Sequence, residues 1–82
     1  MSRDEIVQRL QGIFDEVFLE KVTVTPELSA HEVEEWDSLV HISLMIAVEN
    51  AFHVKFRVGE VEALQNVGEL ADLIGRRLNG SK

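Results

Sequence analysis

Apolar residues in the first part of the chain fall at Ile6, Val7, Leu10, Ile13, Phe14, Val17 and Phe18. Steps of three and four gather them on one side of an amphipathic helix. Ser2 with Glu5 three residues later has capping-box spacing, which predicts the helix start. Gly12 inside it costs about 1 kcal/mol of helix propensity against alanine. From about Glu20 to Trp36 the helical period is gone. Val22, Thr23, Val24 and Thr25 are β-branched, and a residue before proline, here Thr25 before Pro26, disfavours helix. A short strand would need a partner strand, and the rest of the chain supplies none. The stretch is read as a long loop, with Val22, Val24, Leu28 and Val33 as its anchors.

Asp37 suits an N-cap and Ser38 a first helical position, and the helix is expected to run to about Phe52. Val54 and Phe56 are spaced to return to the core. Glu60 to Leu64 reads as a short turn of helix. Asn66 and Glu69 repeat the capping-box spacing before a last helix that carries Val67, Leu70, Leu73, Ile74 and Leu78 on one face. Arg76 and Arg77 suit its negative C-terminal end, and Gly80 is placed to stop it. The expected fold is all-α: a small four-helix bundle of three main helices plus one short helix, with a long loop between helices 1 and 2.

The second helix is apolar on two sides. At about 100° per residue, Val40, Leu44, Ala47, Val48, Ala51 and Phe52 share a broad face, expected to be core. Leu39, Ile42 and Ile46 collect on the other side, near the direction of Ser38 and Glu49. So small a chain has little material to cover a helix all round, so this stripe is expected to be exposed for a partner. The alternative is that the long loop folds over it. A serine at a helix N-terminus, an apolar stripe and the acids Glu34, Glu35, Asp37, Glu49, Glu60 and Glu62 are thus expected near one another. Unpaired N–H groups at a helix start favour an anion, such as a phosphate esterified to Ser38. Asp37-Ser38 alone is an ordinary helix start.

Charge and composition narrow the function classes. The 82 residues make one small domain, 1–82, with 8 Lys plus Arg against 15 Asp plus Glu and a formal charge of -7. Such a surface disfavours nucleic-acid backbones and anionic lipid, and suits partners with basic patches. Cysteine is absent. No apolar run approaches the ~18 residues of a membrane span, and the first residues lack a secretory layout, so a cytoplasmic monomer is expected. His31, His41 and His53 invite a metal site, but His41 and His53 lie about three helical turns apart and no thiol supports them, so none is assigned. Asp37, Ser38 and His41 suggest nucleophilic hydrolysis, but no Gly-x-Ser-x-Gly elbow is present, and the chain is not read as an enzyme.

Asp37-Ser38-Leu39 is followed by Ile42, Leu44, Val48-Glu49, Phe52, Val54 and Phe56, then by Val67 and Leu70 to Ile74. This pattern, spread over nearly the whole chain, resembles the acyl carrier protein family. The resemblance implies that Ser38 carries 4′-phosphopantetheine, transferred from coenzyme A by a phosphopantetheinyl transferase. The arm's thiol would hold acyl groups as thioesters in fatty acid, polyketide or related specialised biosynthesis. It also implies Asp37 as the motif acid and helix cap. Leu39, Ile42, Ile46 and Glu49 become the docking residues for acyl-transferring, ligase or synthase enzymes with basic or apolar patches. Trp36 stands where many members have a small residue, and Ser43 where the family often has an acid. The chain starts just before its first helix and ends soon after its last, which suits a discrete carrier. By apolar position, Phe52, Val54, Leu64 and Ile74 are candidates to line an acyl cavity. The alternatives are an aminoacyl or peptidyl carrier, such as a D-alanyl carrier, and a non-covalent helical adaptor.

Overall fold

A computed structural model describes residues 1–57 and 59–79. The described residues form three α-helices, α1 (Arg3–Val17), α2 (Ser38–Phe52) and α3 (Val67–Asn79), with a 3₁₀ turn at Ala30–Glu32 between α1 and α2. They contain no strand. The all-helical expectation holds, but the count differs. Glu60 to Leu64 is not a helix: residues 59–63 form successive turns. Gly59, at φ 93°, takes a backbone shape that other residues rarely adopt, and the Glu60 N–H closes a turn on the Arg57 carbonyl at 3.1 Å.

Each helix begins where its local chemistry dictates. Ser2 Oγ accepts the Glu5 N–H at 3.2 Å while Glu5 accepts the Ser2 N–H at 2.9 Å, a reciprocal capping box for α1. Asn66 accepts the Glu69 N–H at 2.9 Å, and Glu69 reaches back to the Gln65 N–H at 2.9 Å. The next N–H groups of α3 are taken from outside: Val67 donates to the Leu28 carbonyl and Gly68 to the Pro26 carbonyl, each at 2.8 Å. The long loop is therefore strapped across the start of α3. Gly80, expected to end that helix, lies outside the described residues.

The loop is pinned as its apolar residues suggest. Val22, Val24 and Leu28 are buried and Val33 half-buried. The extended segment at Val22 to Val24 finds a substitute for a partner strand in one side chain. Gln11 donates to the Val22 carbonyl at 2.8 Å and accepts the Val24 N–H at 2.9 Å. Nearby, the Glu35 carboxylate accepts the Leu19 and Glu20 N–H groups at 2.8 and 3.1 Å, fastening the chain where α1 ends.

α1 packs along both α2 and α3. The core joins Ile6, Leu10 and Phe14 to Leu44, Val48 and Phe52 and to Val67, Leu70 and Ile74. Trp36, just before α2, sets its ring edge-on to Phe14 at 5.3 Å and Phe18 at 5.8 Å. This aromatic cluster joins the end of α1 to the entry of α2 and fixes where α2 starts.

Candidate functional site

The site grows from the first turn of α2. Asp37 accepts the Val40 N–H at 2.9 Å through its side chain and the His41 N–H at 2.8 Å through its carbonyl. It is the helix cap expected from the sequence. These bonds leave the N–H groups of Ser38 and Leu39 without a protein acceptor among the described residues. Ser38 itself is exposed, and its hydroxyl bonds to no described residue. Unpaired N–H groups, the positive end of the helix dipole and an open hydroxyl coincide within one turn. A negatively charged phosphodiester on Ser38 fits there.

One flank of Ser38 is apolar and open. Leu39, Ile42 and Ile46 are 77%, 58% and 53% exposed, as the second stripe predicts. Of five large apolar side chains exposed among the described residues, these three share one helix face. The buried arc of α2 is narrower than the expected one and is shifted to include Met45. It centres on Leu44, Val48 and Phe52, with Met45 also buried, while Val40 and Ala47 are half-buried and Ala51 is exposed. Met45 turns inward because it faces the space between α2 and the start of α3, where the sequence gives no sign of a neighbour.

Ser38 also opens into a groove of about 540 Å³ that shares part of this stripe. Ser38, His41, Ile42, Met45 and Ile46 form one wall, and Gly59, Val61, Glu62 and Leu64 the other, with Ala30 and Trp36 also lining it. A second groove of about 440 Å³ continues past Trp36, His41, Met45 and Leu64 to His31, Gln65, Asn66, Val67 and Leu70. Of the four candidate cavity residues, only Leu64 lines these grooves. Phe52, Val54 and Ile74 are buried core. Apolar character marked them as inside, and sequence position does not separate a packed interior from a groove wall.

The acidic residues are mostly engaged internally. Glu35 holds Leu19 and Glu20. Glu49 is half-buried and accepts the Phe56 N–H at 2.8 Å, tying the segment after α2 back to the helix. Glu60 accepts the Arg57 N–H at 2.6 Å and pairs with Arg77. The Arg57 N–H first, and then Arg77, hold the Glu60 carboxyl below its ordinary value. Glu34 stays exposed, and Glu62 is exposed at the groove. Partner electrostatics near Ser38 therefore come from fewer free carboxylates than composition suggests.

The histidines are dispersed: His31 in the 3₁₀ turn, His41 in α2 and His53 at the α2 C-cap. Among the described residues no group of three or more His, Asp or Glu is placed to hold a metal ion. None of their helices is long and apolar enough to cross a membrane. His41, which the sequence offers as a metal ligand or as part of a hydrolytic set, instead accepts the Trp36 Nε1–H at 3.1 Å through Nδ1. The only sequence sign was an aromatic five residues before a histidine, a spacing with no fixed meaning.

Comparison with known proteins gives a consistent picture. The chain is 36% identical over 75 residues to an acyl carrier protein of Rubrobacter xylanophilus, covering 90% of this chain and 93% of that one. It is 30% identical over 79 residues to an acyl carrier protein of Thermosynechococcus vestitus, covering 95% and 98%. The solution structure of a holo acyl carrier protein from Geobacter metallireducens matches with a TM-score of 0.75 and 34% identity, over 96% of this chain and 87% of that one. No family model matches the chain.

Proposed function

This chain belongs to the acyl carrier protein family, and we propose that it is a discrete, single-domain carrier whose Ser38 Oγ bears a 4′-phosphopantetheine arm. The observation that carries the reading is the exposed, unbonded Ser38 hydroxyl at the start of α2, beside the exposed Leu39, Ile42 and Ile46. When bound, the arm supplies a thiol for thioester attachment, which a chain without cysteine lacks. The chain's own residues do the positioning. Asp37 caps α2 and keeps Ser38 at its first turn. The N–H groups of Ser38 and Leu39 offer donors to the phosphodiester. Leu39, Ile42 and Ile46 present apolar area to phosphopantetheinyl transferase and to acyl-transferring, ligase or synthase enzymes, and the exposed Glu62 presents acid to their basic patches. Tethering makes delivery intramolecular, so each docking contact can be weak and brief. The reading places a monomeric carrier in the cytoplasm, serving fatty acid, polyketide or related specialised biosynthesis.

The test is intact mass after incubation with coenzyme A and a broad-specificity phosphopantetheinyl transferase. The wild type gains the mass of one phosphopantetheine, and Ser38→Ala gains none. An unchanged wild-type mass, with a second carrier loaded in the same tube, overturns the reading in favour of a non-covalent adaptor. Once loaded, reaction with acyl-ligases against amino-acid-adenylating enzymes identifies the cargo class.

A further inference from the structure

Trp36 and His41 form a pair to which the attachment chemistry gives no role. The indole Nε1–H donates to His41 Nδ1 at 3.1 Å, and the rings lie 6.2 Å apart, tilted by 23°. An indole nitrogen donates only. Nδ1 must then be the bare nitrogen, and in the neutral imidazole the proton sits on Nε2. No described residue accepts a bond from Nε2, and the nitrogen is open to solvent. The chain thus holds an imidazole in one tautomer and leaves its donor edge vacant.

His41 stands one helical turn from the attachment point and lines the same groove. His41 follows Ser38 by three residues, a spacing that brings side chains within about 5–6 Å at Cβ on one helix face. Helical side chains lean toward the N-terminus. The bond to Trp36 ties the ring to the residue at the entry of α2. The other ionisable groups around it are His31 from the 3₁₀ turn, Glu62 across the groove and Asp37 at the cap, and none bonds to the imidazole. An acceptor brought in on Ser38 is the nearest use for the vacant donor.

We propose that His41 holds the phosphodiester of the Ser38-linked arm through Nε2–H, with Trp36 fixing the tautomer, so that the arm starts along the groove between α2 and the 59–66 segment. His41 is a positioning residue here, and no covalent bond to it is made or broken. The inference rests on the Ser38 reading. It differs from that reading in concerning where the arm lies once attached.

The experiment uses protein loaded with coenzyme A and a transferase, its loading read by mass. An unchanged mass ends the Ser38 reading and this proposal together. For loaded protein at mildly alkaline pH, two signals are followed: the ¹⁵N-coupled His41 Nε2–H and the ³¹P resonance of the diester. In unloaded wild type, His41 shows the Nε2–H tautomer, and Trp36→Phe shows a mixture. Loading slows exchange of that proton with water. The ³¹P resonance of His41→Ala is displaced from wild type, His31→Ala leaves it in place, and His41→Gln, which keeps an N–H donor, restores part of the displacement. Helical circular dichroism confirms that each variant is folded, and the wild-type comparison needs no variant. A loaded wild type with unchanged Nε2–H exchange, and a His41→Ala protein with the wild-type ³¹P resonance, would overturn the proposal and leave Ser38 attachment standing.

Discussion

The Gln11 amide bonds both Val22 and Val24, 2.8 Å to the carbonyl of one and 2.9 Å to the N–H of the other. Both backbone groups belong to buried residues, where an unpaired polar group costs about 1–3 kcal/mol. Gln11→Ala removes both partners at once. It should lower unfolding free energy by about 2 kcal/mol in urea titration, the scale of such losses. Gln11→Glu keeps the acceptor for Val24 and sets a carboxylate against the Val22 carbonyl, so it should do no better. A loss under about 0.5 kcal/mol, the range of neutral surface changes, would mean that water replaces the amide. Nothing in the sequence announces this clamp. Glutamine on a helix face reads as solvated surface, and its partners stand 11 and 13 residues away. The Trp36–His41 pair was hidden for a related reason, because its meaning depends on how the loop enters α2. Ser38 and Asp37 were legible, since a helix cap is a local code written in adjacent residues.

At the scale of elements, one substitution has opposite signs in two helices. A Cβ at Gly12 in α1 would meet nothing within 4 Å, so Gly12→Ala should stabilise by about 1 kcal/mol through helix propensity alone. A Cβ at Gly68 in α3 would stand 3.0 Å from the Pro26 carbonyl and against the Arg3 guanidinium. The arginine can swing away, but the strap carbonyl is held by the Gly68 N–H itself. Gly68→Ala should therefore lose about 1 kcal/mol despite the same propensity gain, as overpacking does. Thermal melts of the two variants check the pair, and melting points displaced in the same direction would refute the strap. The exposed face of α2 gives another test. Ile46→Glu should leave helical circular dichroism intact, because the side chain is in solvent, yet slow modification by the transferase several-fold. Loss of helix in that variant would put Ile46 in the core. The three main helices were legible because capping pairs and helical periods are local. The short helix over Glu60–Leu64 was not, since its composition suits a helix while Gly59 and the Arg57–Glu60 turn decide against one. The grooves beside α2 arise only when Leu64 and the 3₁₀ turn come opposite Met45, a relation between distant segments.

The whole molecule carries a formal charge of -7, and two effects of salt compete on it. Screening weakens the mutual repulsion of the carboxylates, which favours the compact state. Screening also weakens attractive pairs, but among the described residues these are Arg3 with Asp72 at 3.2 Å and Arg77 with Glu60. Pairs at that degree of exposure contribute about 0–1 kcal/mol each. Repulsion among unmatched acids should outweigh two such pairs, so the melting temperature at neutral pH should rise as sodium chloride goes from low to roughly physiological concentration. A falling melting temperature would show that the ion pairs dominate. Acid reveals the opposite limb. Glu5, through the Ser2 N–H first and the Ser2 hydroxyl second, and Glu60, through the Arg57 N–H and then Arg77, have carboxyls lowered from 4.5 in the folded chain. A depressed folded value means that the charged form is favoured by folding. Their contribution is whole above about pH 4.5 and is lost as pH falls through the lower folded values. Stability of the wild type should thus drop more steeply below pH 4.5 than that of the double variant Glu5→Gln, Glu60→Gln, whose caps do not titrate. Parallel acid limbs in the two proteins would mean that these carboxylates do not drive acid unfolding and that general charge accumulation does.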